Sequence, residues 1–261
     1  MILDDILAYK RQEIERAKRK LSLEELQRRV KGRTAQRNFR EALTESAKRP
    51  ALIAELKRKS PSKGMLRDRF DPVRLGQELQ DAGAAALSVL TDEKFFGGHL
   101  EFLRDVQQFT EIPLLRKDFI IDPYQIYESL YYQADAVLLI VQALTDGQLK
   151  AFLRLAYELE LGALVEVHTE PELARAVSAG AQIIGINHRD LRTFAIDHKA
   201  TERLVPKIPS GKVIVAESGL HDPQDLMRLQ ALKVHAVLIG EALMLAANPA
   251  TKVKELFAQV W

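Results

Sequence analysis

The sequence predicts an α/β chain: a (β/α)8 barrel of the TIM type with an N-terminal helical extension. Three observations carry that expectation. Eight short apolar runs recur at intervals of roughly twenty to thirty-five residues, which is βα-repeat spacing. Several segments between the runs open with helix-start signals. No Gly-x-Gly-x-x-Gly loop follows any of the runs, which counts against a doubly wound open sheet.

Taken in order, strands are expected near residues 51–57, 85–91, 113–118, 136–142, 162–167, 183–187, 212–217 and 235–240. Residues 1–48 precede the first strand and read as helical. Ile2, Leu3, Ile6 and Leu7 fall at helical spacing, and Leu21-Ser22-Leu23-Glu24-Glu25-Leu26 resembles a second helix start. Asp71-Pro72, Asp122-Pro123 and Asp222-Pro223 each offer an N-cap followed by proline at the first helical position. Thr169 and Glu172 form a capping-box pattern, while Gly83 and Gly180 suit helix C-caps. With no linker apparent, the chain reads as one domain over 1–261, the extension at 1–48 packing on a barrel at 49–261.

Composition narrows the function. The chain has 261 residues, 47% hydrophobic and 28% charged, as in a soluble globular protein. A net charge of +2 from 38 basic and 36 acidic residues gives no argument for a nucleic-acid or membrane partner. Residues 1–50 hold 14 basic and 8 acidic side chains, an excess that fits a solvated helix face. The absence of cysteine removes disulfides, thiolate metal sites and cysteine nucleophiles. Acids at Asp4 and Asp5 stand where a signal peptide has its basic region, and no apolar run approaches the ~20 residues of a membrane helix. A cytoplasmic location is expected.

The informative residues sit at the strand ends. In Ile53-Ala54-Glu55-Leu56-Lys57, two charges share one face of an apolar strand. Burying a charge is costly unless it is paired or serves a reaction. The device recurs with Lys117 after Leu115, Glu166 after Leu164, and Glu217 after Val215, each pair on one face. Ser88 on the second strand and Asn187 on the sixth extend the set. Catalytic groups of such barrels project from the C-terminal strand ends, so these amines and carboxylates are expected around one mouth. There their mutual fields can tune acid–base chemistry. A salt-bridge ring closing the mouth is the alternative for any single member, but recurrence on strand after strand favours a site.

Ser218-Gly219-Leu220 after strand seven and Ile239-Gly240-Glu241-Ala242 after strand eight are candidate phosphate loops. Ser60 can add a hydroxyl and Lys59 a charge from the first loop. Phe96 and Phe119 are expected to flank a flat apolar group, whereas Phe95 is expected to pack its loop onto the barrel. The six histidines show no metal-ligand spacing, so no metal is expected, and His188 reads as a solvated loop histidine. No Gly-x-Ser-x-Gly elbow is present.

These stretches together resemble the indole-3-glycerol-phosphate synthase family. The resemblance runs through Glu55-Leu56-Lys57-Arg58-Lys59-Ser60-Pro61-Ser62-Lys63-Gly64, Ser88-Val89-Leu90-Thr91-Asp92 and Phe95-Phe96-Gly97-Gly98. It continues in Leu115-Arg116-Lys117-Asp118-Phe119-Ile120, Leu164-Val165-Glu166-Val167-His168, Ile184-Gly185-Ile186-Asn187-His188-Arg189-Asp190-Leu191 and Ala216-Glu217-Ser218-Gly219-Leu220. One departure is His188, where the family usually has a second asparagine.

The resemblance implies a monomeric lyase without cofactor or metal. It would convert 1-(2-carboxyphenylamino)-1-deoxyribulose 5-phosphate into indole-3-glycerol phosphate, carbon dioxide and water. It further implies Lys117 as the acid at the ketone, Lys57 and Glu166 in the remaining proton transfers, Glu55 tuning Lys57, and Asn187 orienting substrate. Ser60, Gly219 and Gly240 would hold phosphate, with Lys59 and Glu241 beside them. Phe96 and Phe119 would flank the anthranilate ring, with Ser88, Leu90, Glu217 and Ser218 completing the pocket and Arg189 supporting its loop. Phosphoribosylanthranilate isomerase and a non-catalytic phosphate-ligand binder are the rivals. Neither accounts for the full lysine and glutamate set.

Overall fold

The computed structural model describes residues 2–190 and 195–261, so Leu191 of the sixth-strand motif lies outside the described residues. Eight parallel strands form a closed barrel: β1 (Ala51–Leu56), β2 (Ala86–Leu90), β3 (Leu114–Lys117), β4 (Ala136–Ile140), β5 (Gly162–Val167), β6 (Ile183–Asn187), β7 (Val213–Glu217) and β8 (Ala236–Ile239). Each pairs with its sequence neighbour, and β8 closes on β1 with Ala51 opposite Ala236. All eight runs are therefore strands, with ends within two residues of those expected.

Strand alternation sorts the core into two layers. Leu52, Ala54, Leu56, Val89, Val165, Ile186 and Ala216 face outward and pack beneath the helices. Ile53, Leu115, Leu138, Leu164, Ile183, Val215 and Leu238 fill the barrel interior. Stepping two residues toward the C-terminal end from Ile53, Leu115, Leu164, Val215 and Leu238 reaches Glu55, Lys117, Glu166, Glu217 and Gly240. The apolar plug thus gives way to a polar layer at one end.

Helix starts follow the caps. Asp71, Asp122, Thr169 and Asp222 accept backbone N–H bonds at the heads of Pro72–Asp81, Pro123–Tyr131, Glu170–Ala179 and Pro223–Ala231. Gly180 closes its helix in the left-handed region, whereas Pro72–Asp81 is capped by Ala82, with Gly83 one residue beyond.

Ahead of the barrel lie α1 (Ile2–Lys20), α2 (Leu23–Val30) and α3 (Phe39–Glu45). The third was not marked by the sequence reading, although Asn38 caps it. Phe39 and Leu43 join the interior cluster, Phe39 lying against the first residue of β5, so α3 covers the N-terminal end of the barrel. α1 instead reaches the loops at the C-terminal end, where Tyr9 meets Phe95 edge-on with ring centroids 6.0 Å apart. No described helix is long and apolar enough to cross a membrane.

Candidate active site

The C-terminal mouth opens on a cavity of about 950 Å³, solvent at its opening included. Its lining brings together Glu55, Lys57, Lys117, Glu166, Asn187 and Glu217 from five strands and the residue after β1. Lys57 and Glu55 form a close ion pair. Lys117 Nζ lies 3.4 Å from Glu166 Oε2 and, across the barrel, 3.8 Å from Glu217 Oε2.

Burial works to lower the pKa of Lys117, but Glu166, then Glu217 and Glu55, overcome it and hold the amine well above the ordinary lysine range. Burial pushes Glu55 up, and the Lys57 and Lys117 ammoniums more than reverse it, leaving a carboxylate below its usual range. Glu217 goes the other way. Burial, then Glu166 and Glu55, push it up to about 8 against the pull of Lys117. The site therefore sets a strongly held ammonium against a carboxyl whose ionisation burial and its acidic neighbours oppose.

The rim combines an anion-friendly corner and an aromatic clamp. Because β7, β8 and β1 are neighbours, Ser218, Gly219, Gly240, Glu241 and Ser60 gather on one side. Ser218 and Gly219 take successive left-handed conformations, φ 68° and 70°, and turns with such residues can aim backbone N–H groups at an anion. Among the described residues no backbone carbonyl accepts from the Gly219 or Leu220 N–H. Phe96 and Phe119 line the cavity with ring centroids 6.1 Å apart, and Leu90 lies there too. Phe95 stays outside, packed on Tyr9. Arg189 reaches Glu241 at 3.6 Å, spanning the loops after β6 and β8.

Gly240 has a role that the phosphate-loop reading did not foresee. A Cβ there would sit 2.3 Å from Glu55 Oε1 and 2.9 Å from Glu55 Cβ. The bare backbone is what lets Glu55 stand beside Lys57. We expect Gly240→Ala to lower kcat/KM by roughly tenfold, since ångström-scale misplacement of catalytic groups is expensive. Steady-state kinetics on the folded variant, verified by circular dichroism, check this.

Two expected site residues lie off the cavity, and one expectation is corrected. Ser88 is fully buried and does not line the cavity; Leu90, two residues further along the same strand face, does. Lys59 also lies off the cavity: its amine donates to the Lys94 carbonyl at 2.7 Å, tying the first loop to the second. His188 is fully buried rather than solvated, because the alternation that turns Asn187 inward turns its neighbour beneath the outer helices.

Sequence reasoning also passed over a buried charge cluster behind the site. Lys10 of α1 is 1% exposed and contacts Asp118 at 2.8 Å and Asp92 at 3.0 Å. Asp118 follows Lys117 directly and also receives Arg116 at 3.1 Å, which in turn holds Glu128 at 2.9 Å. Burial alone would raise the Asp118 pKa, but Lys10 and Arg116 hold it well below the usual carboxylate range. Asp92 meanwhile caps the short helix Glu93–Phe96, which carries Phe96. The apolar run around Leu115 gave a signal for Lys117 but none for its partners.

A family model for indole-3-glycerol phosphate synthase matches residues 3–256. The chain belongs to the indole-3-glycerol phosphate synthase family. Relatives of that name include one from Acetivibrio thermocellus, 45% identical over 260 residues that cover 99% of this chain and 100% of its own. Another, from Campylobacter hominis, is 46% identical over 258 residues, 98% of this chain and 99% of its own. Solved structures of lower identity share the fold. KGPDC from Streptococcus mutans matches with a TM-score of 0.61 at 16% identity, over 81% of this chain and 99% of its own. An N-acetylmannosamine-6-phosphate 2-epimerase from Clostridium perfringens gives 0.61 at 14%, over 84% and 96%. At such identity these neighbours speak for the barrel alone. Family membership, by contrast, spans the extension as well as the barrel.

Proposed function

We propose that this chain is the decarboxylating lyase of tryptophan biosynthesis that closes the indole ring. It takes 1-(2-carboxyphenylamino)-1-deoxyribulose 5-phosphate to indole-3-glycerol phosphate, releasing carbon dioxide and water. The observation that carries the reading is Lys117, held charged by Glu166 and Glu217, facing a cavity with an aromatic clamp and an anion-friendly corner.

In this reading Phe96 and Phe119 sandwich the anthranilate ring, while Ser60, Ser218, Gly219 and Gly240 receive the phosphate. The ring carbon bearing the carboxylate attacks the ketone carbon. As that bond forms, the ketone oxygen becomes an alkoxide and takes a proton from Lys117. An alkoxide is a far stronger base than an amine, so transfer is favourable even from an ammonium of raised pKa. The C–CO2 bond then breaks, and its electron pair restores the aromatic ring. In dehydration, Lys57 gives a proton to the departing hydroxyl and Glu166 removes one from the adjacent carbon, forming the indole double bond. Glu55 holds Lys57 in place through their close ion pair, and Asn187 orients the substrate. The reading includes a cytoplasmic, monomeric enzyme with a small-molecule substrate and no nucleic-acid or membrane partner.

Adding the carboxyphenylamino-deoxyribulose phosphate and following indole fluorescence tests the proposal. Steady product formation is expected. Binding without turnover, or turnover of phosphoribosylanthranilate alone, overturns it.

A further inference from the structure

His188 is a buried titratable group that the chemistry above leaves idle. Its ring lies outside the cavity, on the outer side of the wall. Nδ1 is 3.0 Å from the Ser218 carbonyl oxygen, and Nε2 is 2.7 Å from the Thr201 hydroxyl of helix Ala200–Leu204. A carbonyl only accepts, so these partners assign the proton to Nδ1, and Nε2 of the neutral ring accepts from Thr201. Burial keeps the ring neutral, pushing its pKa down to about 4 against the Ser218 carbonyl. One ring is thereby fixed at both ends.

What it fixes matters for the anion corner. Ser218 has φ 68°, a conformation that costs a residue with a side chain free energy and needs support from its surroundings. The Ser218 carbonyl and the Gly219 N–H belong to one planar trans peptide, so they point in opposite directions. A carbonyl held outward by His188 sends the Gly219 N–H inward, toward the cavity that Ser218 and Gly219 line. The other side of the turn is constrained too: a Cβ on Gly219 would come 2.9 Å from His198 Cε1.

We infer that His188 is a positioning residue for phosphate recognition: by holding the Ser218–Gly219 peptide it aims the Gly219 N–H at the ligand without touching it. This rests on the reading that the corner takes the phosphate ester. His188→Leu removes the donor. It is expected to raise KM for the carboxyphenylamino-deoxyribulose phosphate, and the inhibition constant of inorganic phosphate, by roughly tenfold, the worth of one mis-set hydrogen bond to an anion. The value of kcat stays within about threefold, because no proton-transfer group moves. His188→Asn restores most of the affinity, since its amide nitrogen stands about as far from the backbone as Nδ1.

A fall in kcat with KM unchanged, or equal affinities in wild type and His188→Leu, overturns the inference. So does an asparagine variant no better than leucine. If His188→Leu fails to fold, Thr201→Val, which loosens the ring without emptying its site, must show the same selective rise in KM, and an unchanged KM there is equally fatal. Wild-type enzyme insensitive to inorganic phosphate would instead sink the phosphate reading of the corner, an outcome separate from any difference between variants.

Discussion

Lys117→Ala lowers kcat by at least ~10²-fold and leaves the barrel folded, as expected for loss of a positioned general acid. The physical case lies in what surrounds the amine. Its charge is maintained by Glu166 at 3.4 Å and Glu217 at 3.8 Å, with Glu55 adding to the field. Alanine removes the cation that faces those buried carboxyls, and in the proposed chemistry the ketone oxygen loses its proton donor. Only a partly enclosed side chain at the mouth is deleted, so the interior plug below is undisturbed. Stopped-flow and steady-state fluorescence of the indole product measure the loss. Near-normal turnover would remove Lys117 from the chemistry.

The second large effect falls on stability. Lys10→Met keeps the length of the side chain but strands Asp92 and Asp118 in the interior with one cation fewer. Breaking a buried ion cluster by removing one partner typically costs about 3–5 kcal/mol, and urea unfolding is expected to show a loss of that order. The sign of the pH dependence follows from the two shifts. Asp118 is held below its ordinary 3.8, so its contribution is present above that value and is lost as pH falls through the folded-state pKa. Burial tends to lower the Lys10 pKa, but Asp118 and Asp92 hold it above the ordinary 10.5. Its contribution is therefore complete below 10.5 and lost only as pH rises through the folded-state pKa. Across the neutral range the penalty should be constant. Asp92→Asn in the Lys10→Met background should recover part of it, and a loss below about 1 kcal/mol for the single variant would show that the cluster relaxes into water. Activity should fall too, because Asp118 adjoins Lys117 and Asp92 caps the helix bearing Phe96.

The two effects differ in how visible their residues are. Lys117 was readable because it stands two residues beyond an interior leucine on the same strand face, and that relation is local. Asp122 and Thr169 were readable as helix starts for the same reason: a cap bonds its own next turn. Ser88 obeyed the same alternation yet does not line the cavity, which Leu90 reaches two residues further on, since parity fixes the face of a strand and not the depth at which the cavity ends. Lys59 carried charge in the right loop, but its amine found a backbone carbonyl 35 residues away.

The sequence by itself determined the eight strands, their inward and outward faces, and the family whose amines and carboxylates meet at the mouth. The strands and their faces are set by short-range spacing within single elements, whereas the family is carried by the resemblance of motifs spread along the chain. Only the tertiary structure decided that Lys10 is buried against Asp92 and Asp118, that His188 holds the Ser218 carbonyl, and that Gly240 makes room for Glu55. Each joins residues more than thirteen positions apart. Such pairings depend on which helix face docks and how closely two strand ends approach, and neither leaves a period in the chain to be read.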